Sequence, residues 1–207
     1  MLGVYNYTVI LTYAGVLTAY AGIINVFNDN IKTALLCLMV AGLFDMFDGK
    51  VAGTKKNRTL FEKRFGIQID SLSDLISYGV LPALIMYQVD HPNRLISCIC
   101  GVYMLCALIR LSYFNVDEEE RQNSTEEERH EYRGLPVTSV ALILPTVFVV
   151  TNCIHRRPGI IGAAVLAACG ISFITPFKLI KPNNTGKAVI IVIGITVLTL
   201  LIRINLG

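Results

Sequence analysis

Hydrophobic residues fall along the chain in seven long runs separated by short polar stretches: 7–27, 33–50, 67–89, 95–115, 135–153, 158–176 and 187–205. Each run approaches the roughly 20 residues that carry an α-helix across a bilayer. A soluble protein of 207 residues would have too little interior to hide seven such helices. The pattern therefore predicts an all-α polytopic membrane protein, one integral membrane domain over residues 1–207. It shows no internal repeat and no interdomain linker. The first run lacks the basic start and small-residue cleavage site of a signal peptide, so it counts as a helix. Composition agrees, with 54% hydrophobic residues and a mean hydropathy of +0.59.

Charge adds an orientation. The net charge of +3 says little, and no nucleic-acid partner is expected. Of the 18 Lys and Arg, however, twelve lie in three loops that share one side, 50–66, 116–134 and 178–187. Five lie on the other side, and Arg110 falls within a run. Basic loops stay in the cytoplasm, so this side, with the N-terminus, is expected to face it, in a protein of the cell membrane. The stretch 116–134 holds eight of the fifteen acidic residues and reads as a solvated cytoplasmic connector or a short surface helix. All six cysteines lie in or at the edges of the runs without a C-x-x-C pair, which makes them apolar packing residues.

The segment 45–74 breaks the apolar pattern. It places Asp45, Asp48, Asp70 and Asp74 at or inside the ends of two hydrophobic runs, where a bare carboxylate costs several kcal/mol or more. Asp45 and Asp48 are three apart and Asp70 and Asp74 four apart, so each pair shares a helix face. The second and third spans are antiparallel neighbours, so both pairs can converge near the cytoplasmic side. Four convergent carboxylates call for a divalent cation. Oxygen-only ligation suits Mg2+, Mn2+ or Ca2+ and disfavours zinc and copper. Magnesium usually bridges a few carboxylates to substrate phosphates, which points to a phosphate or pyrophosphate substrate. Gly49, Ala52 and Gly66 beside the carboxylates leave room for a ligand to approach the backbone, or for helices to pack closely. Ion pairing with nearby Lys and Arg, or an ion pathway, are the competing readings of the acids.

At these residues the chain resembles the CDP-alcohol phosphatidyltransferases, whose signature is D-x-x-D-G-x-x-A-R, a spacer of about eight, then G-x-x-x-D-x-x-x-D. It reads here as Asp45, Asp48, Gly49, Ala52, Gly66, Asp70 and Asp74 (motif 45–74). The stretches FGIQIDSLSDLISYGVLPA (65–83), LIRLSYFNV (108–116) and YRGLPV (132–137) look like the branch that makes phosphatidylserine. The resemblance covers roughly 33–150 and implies a six-helix core, here with one further transmembrane helix. Two departures stand out: the signature's Arg is Gly53, and the spacer to Gly66 is twelve residues. Lys55, Lys56, Arg58, Lys63 or Arg64 could restore the missing charge, and Lys56 and Arg58 join Asp48, Gly49, Ala52 and Gly66 as expected CDP-lipid contacts.

The resemblance implies a CDP-activated diacyl or dialkyl lipid as donor, L-serine as acceptor, CMP as leaving group, and a homodimer in membrane lipid. Asp45, Asp48 and Asp70 would hold one or two divalent ions, with Asp74 as base and as a further ligand. Arg110 and Arg133 are the candidates for the serine carboxylate, since guanidinium binds it in a fork, and Gln68 is a polar group at the same level. An Arg within a span is expensive without a partner, which favours Arg110. Glycerol 3-phosphate and inositol phosphate are the alternative acceptors and would ask for more basic charge. A divalent-cation transporter using the same carboxylates would need polar groups reaching the far side, and the outer halves of spans two and three offer little.

Overall fold

A computed structural model describes residues 2–124, 131–180 and 184–204; the side chains of 121–124, 131–133, 180, 184, 185 and 187 lie outside the description. All seven expected spans are helical rods. A 3-10 turn, Tyr7–Val9, leads into α1 (Ile10–Phe27), followed by α2 (Ile31–Gly53). The third rod runs unbroken from 60 to 89 as α3 (Leu60–Asp74), a π-helical turn (Leu75–Val80) and α4 (Leu81–Val89). Then come α5 (Arg94–Ser124), α6 (Val140–Cys153), α7 (Gly159–Ile174) and α8 (Asn184–Arg203). Tyr7–Phe27, Leu60–Val89 and Arg94–Glu120 are each long and apolar enough to cross a membrane. The chain is an integral membrane protein. At 23 residues α2 is also long enough, but it carries Lys32, Asp45, Asp48 and Lys50.

Two boundaries depart from the hydrophobic pattern. The third span was expected from residue 67, yet α3 begins at Leu60. Thr59 caps it: its hydroxyl accepts from the Glu62 N–H (3.2 Å) while the Glu62 carboxylate accepts from the Thr59 N–H (2.9 Å). This reciprocal box satisfies two backbone donors that a helix start would otherwise leave open, and starts the helix seven residues early. At the other boundary, the acidic stretch after 115 is no separate connector at its start. It continues α5 to Ser124, because its run of helix-forming acids and Arg gives no stop signal. Residues 125–130 of that stretch lie outside the described residues.

The helices pack through small residues, as lipid-solvated helices must without a hydrophobic drive between them. A side chain added at Gly42 of α2 would come within 2.9 Å of the Ala141 methyl of α6, and one at Gly22 of α1 would meet Leu81 of α4 at 2.9 Å. Large apolar side chains such as Leu17, Phe47, Leu105 and Val192 remain exposed, suited to hydrocarbon as solvent. At the far end of α2, Lys32 donates to the carbonyls of Ile202 (2.6 Å) and Ile204 (2.9 Å), closing the C-terminus of α8 with a cation.

Helical periodicity gave no sign of the one strand pair among the described residues. β1 (Glu131–Arg133) runs antiparallel to β2 (Lys178–Ile180), with Tyr132 opposite Leu179. It is fixed by Gly134, whose N–H donates to the Phe177 carbonyl (2.7 Å). Gly134 has φ +76°, and a side chain there would stand 2.9 Å from the Phe173 carbonyl and 3.0 Å from that of Thr175. Only glycine fits.

Gly134→Ala should therefore cost at least the roughly 1–2 kcal/mol of a left-handed backbone, and more from the carbonyl overlap. Loss of the helical circular-dichroism signal on heating should come several degrees earlier. Gly53→Ala, where an added side chain meets nothing within 4 Å, should melt no lower than wild type.

Candidate active site

The two aspartate pairs meet. α2 carries Asp45 and Asp48 toward α3, and α3 presents Asp70 and Asp74 one turn apart. Carboxylate oxygens of Asp45, Asp70 and Asp74 all lie within 4.8 Å of one another. Asp48 lines the same cavity and is fixed from a third helix: the Thr12 hydroxyl of α1 donates to its Oδ2 at 2.9 Å. Leu11 and Gly15 of α1, Ala41 of α2, and Ser73, Ser77 and Tyr78 beyond complete the lining.

The third rod bends its regular geometry at this point. The π turn opens at Leu75, the residue after Asp74, and such turns concentrate at functional sites because they re-aim side chains within an intact helix. Ser77 and Tyr78, both in the turn, line the aspartate cavity. The Tyr103 hydroxyl of α5 donates to the Tyr78 carbonyl and ties the turn to its neighbour.

Two like charges at that spacing repel by roughly 3–4 kcal/mol at an effective dielectric of about 20. Among the described residues, no Lys or Arg lines the cavity. The ion pairs among the described residues, Lys55–Glu62 (2.5 Å) and Arg64–Glu119 (3.2 Å), use none of the four aspartates. A hard divalent cation fits the donor set: three carboxylates from two helices, with no nitrogen or sulfur ligand among them. The aspartate cluster can bind a divalent metal.

The other expected site residues divide. Gly49 is exposed, with open space where a side chain would stand, and Ala52 is half-buried. At Gly66 the Arg58 guanidinium occupies that space, 2.7 Å from an added side-chain carbon. Lys56 is exposed. Gln68 is exposed and accepts from the Asn115 amide (3.2 Å), and Asn115 in turn accepts from the Ser71 hydroxyl. Arg110 is buried on α5, with its guanidinium 5.9 Å from the Phe114 ring centre. It does not line the aspartate cavity. Along α5 it lies between Tyr103, which contacts Tyr78, and Asn115, which contacts Ser71. Arg133 belongs to β1, and its side chain lies outside the described residues.

The sequence reading missed Thr12, Tyr78 and Glu62. A single Thr or Tyr in an apolar span carries no pattern. Glu62 did: it completes a T-x-x-E capping box in front of a helix.

The family model for CDP-alcohol phosphatidyltransferase matches residues 5–205. Among similar proteins, an archaetidylserine synthase of Methanothermobacter thermautotrophicus is 33% identical over 132 residues, 63% of this chain and 52% of that one. A CDP-diacylglycerol–serine O-phosphatidyltransferase of Saccharomyces cerevisiae is 32% identical over 123 residues, 58% of this chain and 43% of that one. A phosphatidylcholine synthase of Borreliella burgdorferi is 25% identical over 196 residues, 93% of this chain and 76% of that one. The chain spans about half the length of the first two. With its aspartates converging as the signature requires, the chain belongs to the CDP-alcohol phosphatidyltransferase family.

Proposed function

We propose that the chain transfers the phosphatidyl-type group of a CDP-activated lipid to the hydroxyl of L-serine, releasing CMP. The observation that carries this reading is the convergence of Asp45, Asp70 and Asp74 in a cavity without a basic residue. Such a cluster suits a cation shared with a diphosphate. Serine as acceptor is supported by the names of the archaeal and yeast relatives. The phosphatidylcholine synthase aligns over more of the chain and makes choline the second reading. Choline lacks a carboxylate, and the guanidinium of Arg110, on the helix packed against α3, suits an acceptor that has one. Incubating membranes with CDP-lipid and labelled serine or choline, and following CMP, tests both.

Asp45, Asp70 and Asp74 would hold the cation, with Asp48 oriented beside them by Thr12. A bound Mg2+ or Mn2+ supplies charge neutralisation at the diphosphate and at the departing CMP. Asp74 takes the proton of the serine hydroxyl as its oxygen bonds to the lipid-side phosphorus. The bond from that phosphorus to CMP breaks, and CMP leaves with the electron pair. Gly49, exposed and with open space at its α-carbon, leaves the CDP moiety room against the backbone. The distribution of basic loops supports a cytoplasmic-facing site in the cell membrane. The family resemblance supports a homodimer.

Activity should require added Mg2+ or Mn2+ and disappear with a chelator, returning when the metal is restored. Full turnover after dialysis against excess chelator would exclude the metal reading.

In Asp74→Asn the protein should fold and bind CDP-lipid, yet release CMP at no more than a few per cent of the wild-type rate. Faster turnover removes Asp74 as the base.

Arg110→Lys should raise the KM for serine about ten- to a hundredfold, the equivalent of roughly 1.5–3 kcal/mol for one charge-assisted contact, and leave that for CDP-lipid unchanged. Titrating each substrate separately reads this out, with Arg133→Lys beside it. Weakened CDP-lipid with unaltered serine would assign Arg110 to phosphate instead.

A further inference from the structure

The loop between α2 and α3 and the first turns of α3 carry five basic residues, and the structure gives them unequal surroundings. Lys55 is neutralised by Glu62 at 2.5 Å. That carboxylate is further occupied by the Thr59 N–H (2.9 Å) and the Asn6 side-chain amide (2.8 Å). Arg64 is paired with Glu119 at 3.2 Å. Lys56 and Lys63 are exposed, where water solvates an ammonium without help.

Arg58 is the exception. It is half-buried, and its Nη2 donates to the main-chain carbonyl of Glu62 at 3.2 Å. Its Nε is shielded from solvent and has no hydrogen-bond partner. A guanidinium drawn partly out of water with a neutral carbonyl as its bonded acceptor stays short of an anion. It lies on the backbone of Gly66, and any side chain at 66 would collide with its Nη2 at 2.7 Å. Gly66 is four residues, about 6 Å along the helix, before Asp70 and on the same face. The guanidinium therefore lies over the same face of α3 as Asp70, one turn nearer the loop.

We propose that Arg58 binds the diphosphate of the nucleotide-activated lipid, bringing from the loop a charge that the end of α2 lacks at Gly53. This assignment rests on the donor proposed above. A metal held by the aspartates takes one side of a diphosphate, and a planar guanidinium one turn away matches the oxygens left over, by paired N–H donors. The same chemistry would also hold the phosphate of a bilayer headgroup, so the source must be separated by experiment.

The test uses the full chain in phosphatidylcholine nanodiscs with magnesium, and soluble CDP as the probe. Arg58→Gln keeps the three-carbon stem and a polar tip while removing the charge, and thermal melting checks that the fold is retained. CDP affinity should fall roughly ten- to a hundredfold, with the KM for CDP-lipid rising in step and the KM for serine unmoved. Arg58→Lys should recover part of the loss, and Lys56→Ala should cost less than Arg58→Gln. Gly53→Arg in the Arg58→Gln background should restore CDP binding, since a side chain at 53 meets nothing within 4 Å. CDP affinity unchanged in Arg58→Gln overturns the proposal. So does a loss seen only when phosphatidylglycerol is added, which would assign the guanidinium to bilayer headgroups. A wild-type chain that binds CDP through Arg58 but never labels serine would overturn the acceptor reading and leave Arg58 in place. Serine transfer with Arg58-independent CDP binding would do the reverse.

Discussion

Everything in this fold answers to one electrostatic constraint: several carboxylates held together inside an apolar helix bundle. Asp45, Asp70 and Asp74 approach within 4.8 Å, and the described residues of the lining contribute no positive charge. Two rigid helices hold them there, and a third, α1, supplies a hydroxyl for the fourth acid, Asp48. A bundle with a basic residue in this place would be more stable empty, and would then have no use for a cation. The repulsion is the cost of keeping a binding site for one.

The cations are arranged around that centre rather than in it. Lys55 and Arg64 are satisfied locally by Glu62 and Glu119, and so stiffen the start of α3 and its contact with α5. Arg110 is buried a helix away, against Phe114. Arg58 reaches back over Gly66. Paired charges shape the scaffold around the aspartates, while Arg58 has a main-chain carbonyl as its bonded acceptor. Glycine at 66 and the capping box at Thr59 serve the same end, since one leaves space for a guanidinium and the other fixes the helix on which it rests.

Much of this was legible in the sequence because spacing carries it. Runs of apolar residues located all seven rods, and intervals of three and four put each aspartate pair on one face. The Thr59–Glu62 box was equally visible, and reading it would have started α3 at Leu60 rather than 67. Other features had no local signal. The π turn at Leu75–Val80 depends on how α5 grips the Tyr78 carbonyl, a contact between residues 25 apart in sequence. Thr12 resembles any small polar residue in a membrane helix, and its role appears only when α1 lies beside α2. The β1–β2 pair joins segments some 45 residues apart through three residues each, too short for periodicity to register. Residues 116–124 were read as a connector or a separate short helix, and they instead prolong α5, since Glu and Arg are good helix formers.

The contact of Lys32 with the last carbonyls of α8 has a bearing on how the protein is made. Chains emerge from the ribosome N-terminus first, so α2 enters the membrane long before Ile202 and Ile204 exist. Until then the ammonium in its first turn lacks the two α8 carbonyls that it meets in the folded chain. α8 then arrives as a latch at the end of α2 opposite Asp45 and Asp48. One end of the helix that carries half the acidic cluster is thus fastened only once α8 has been made.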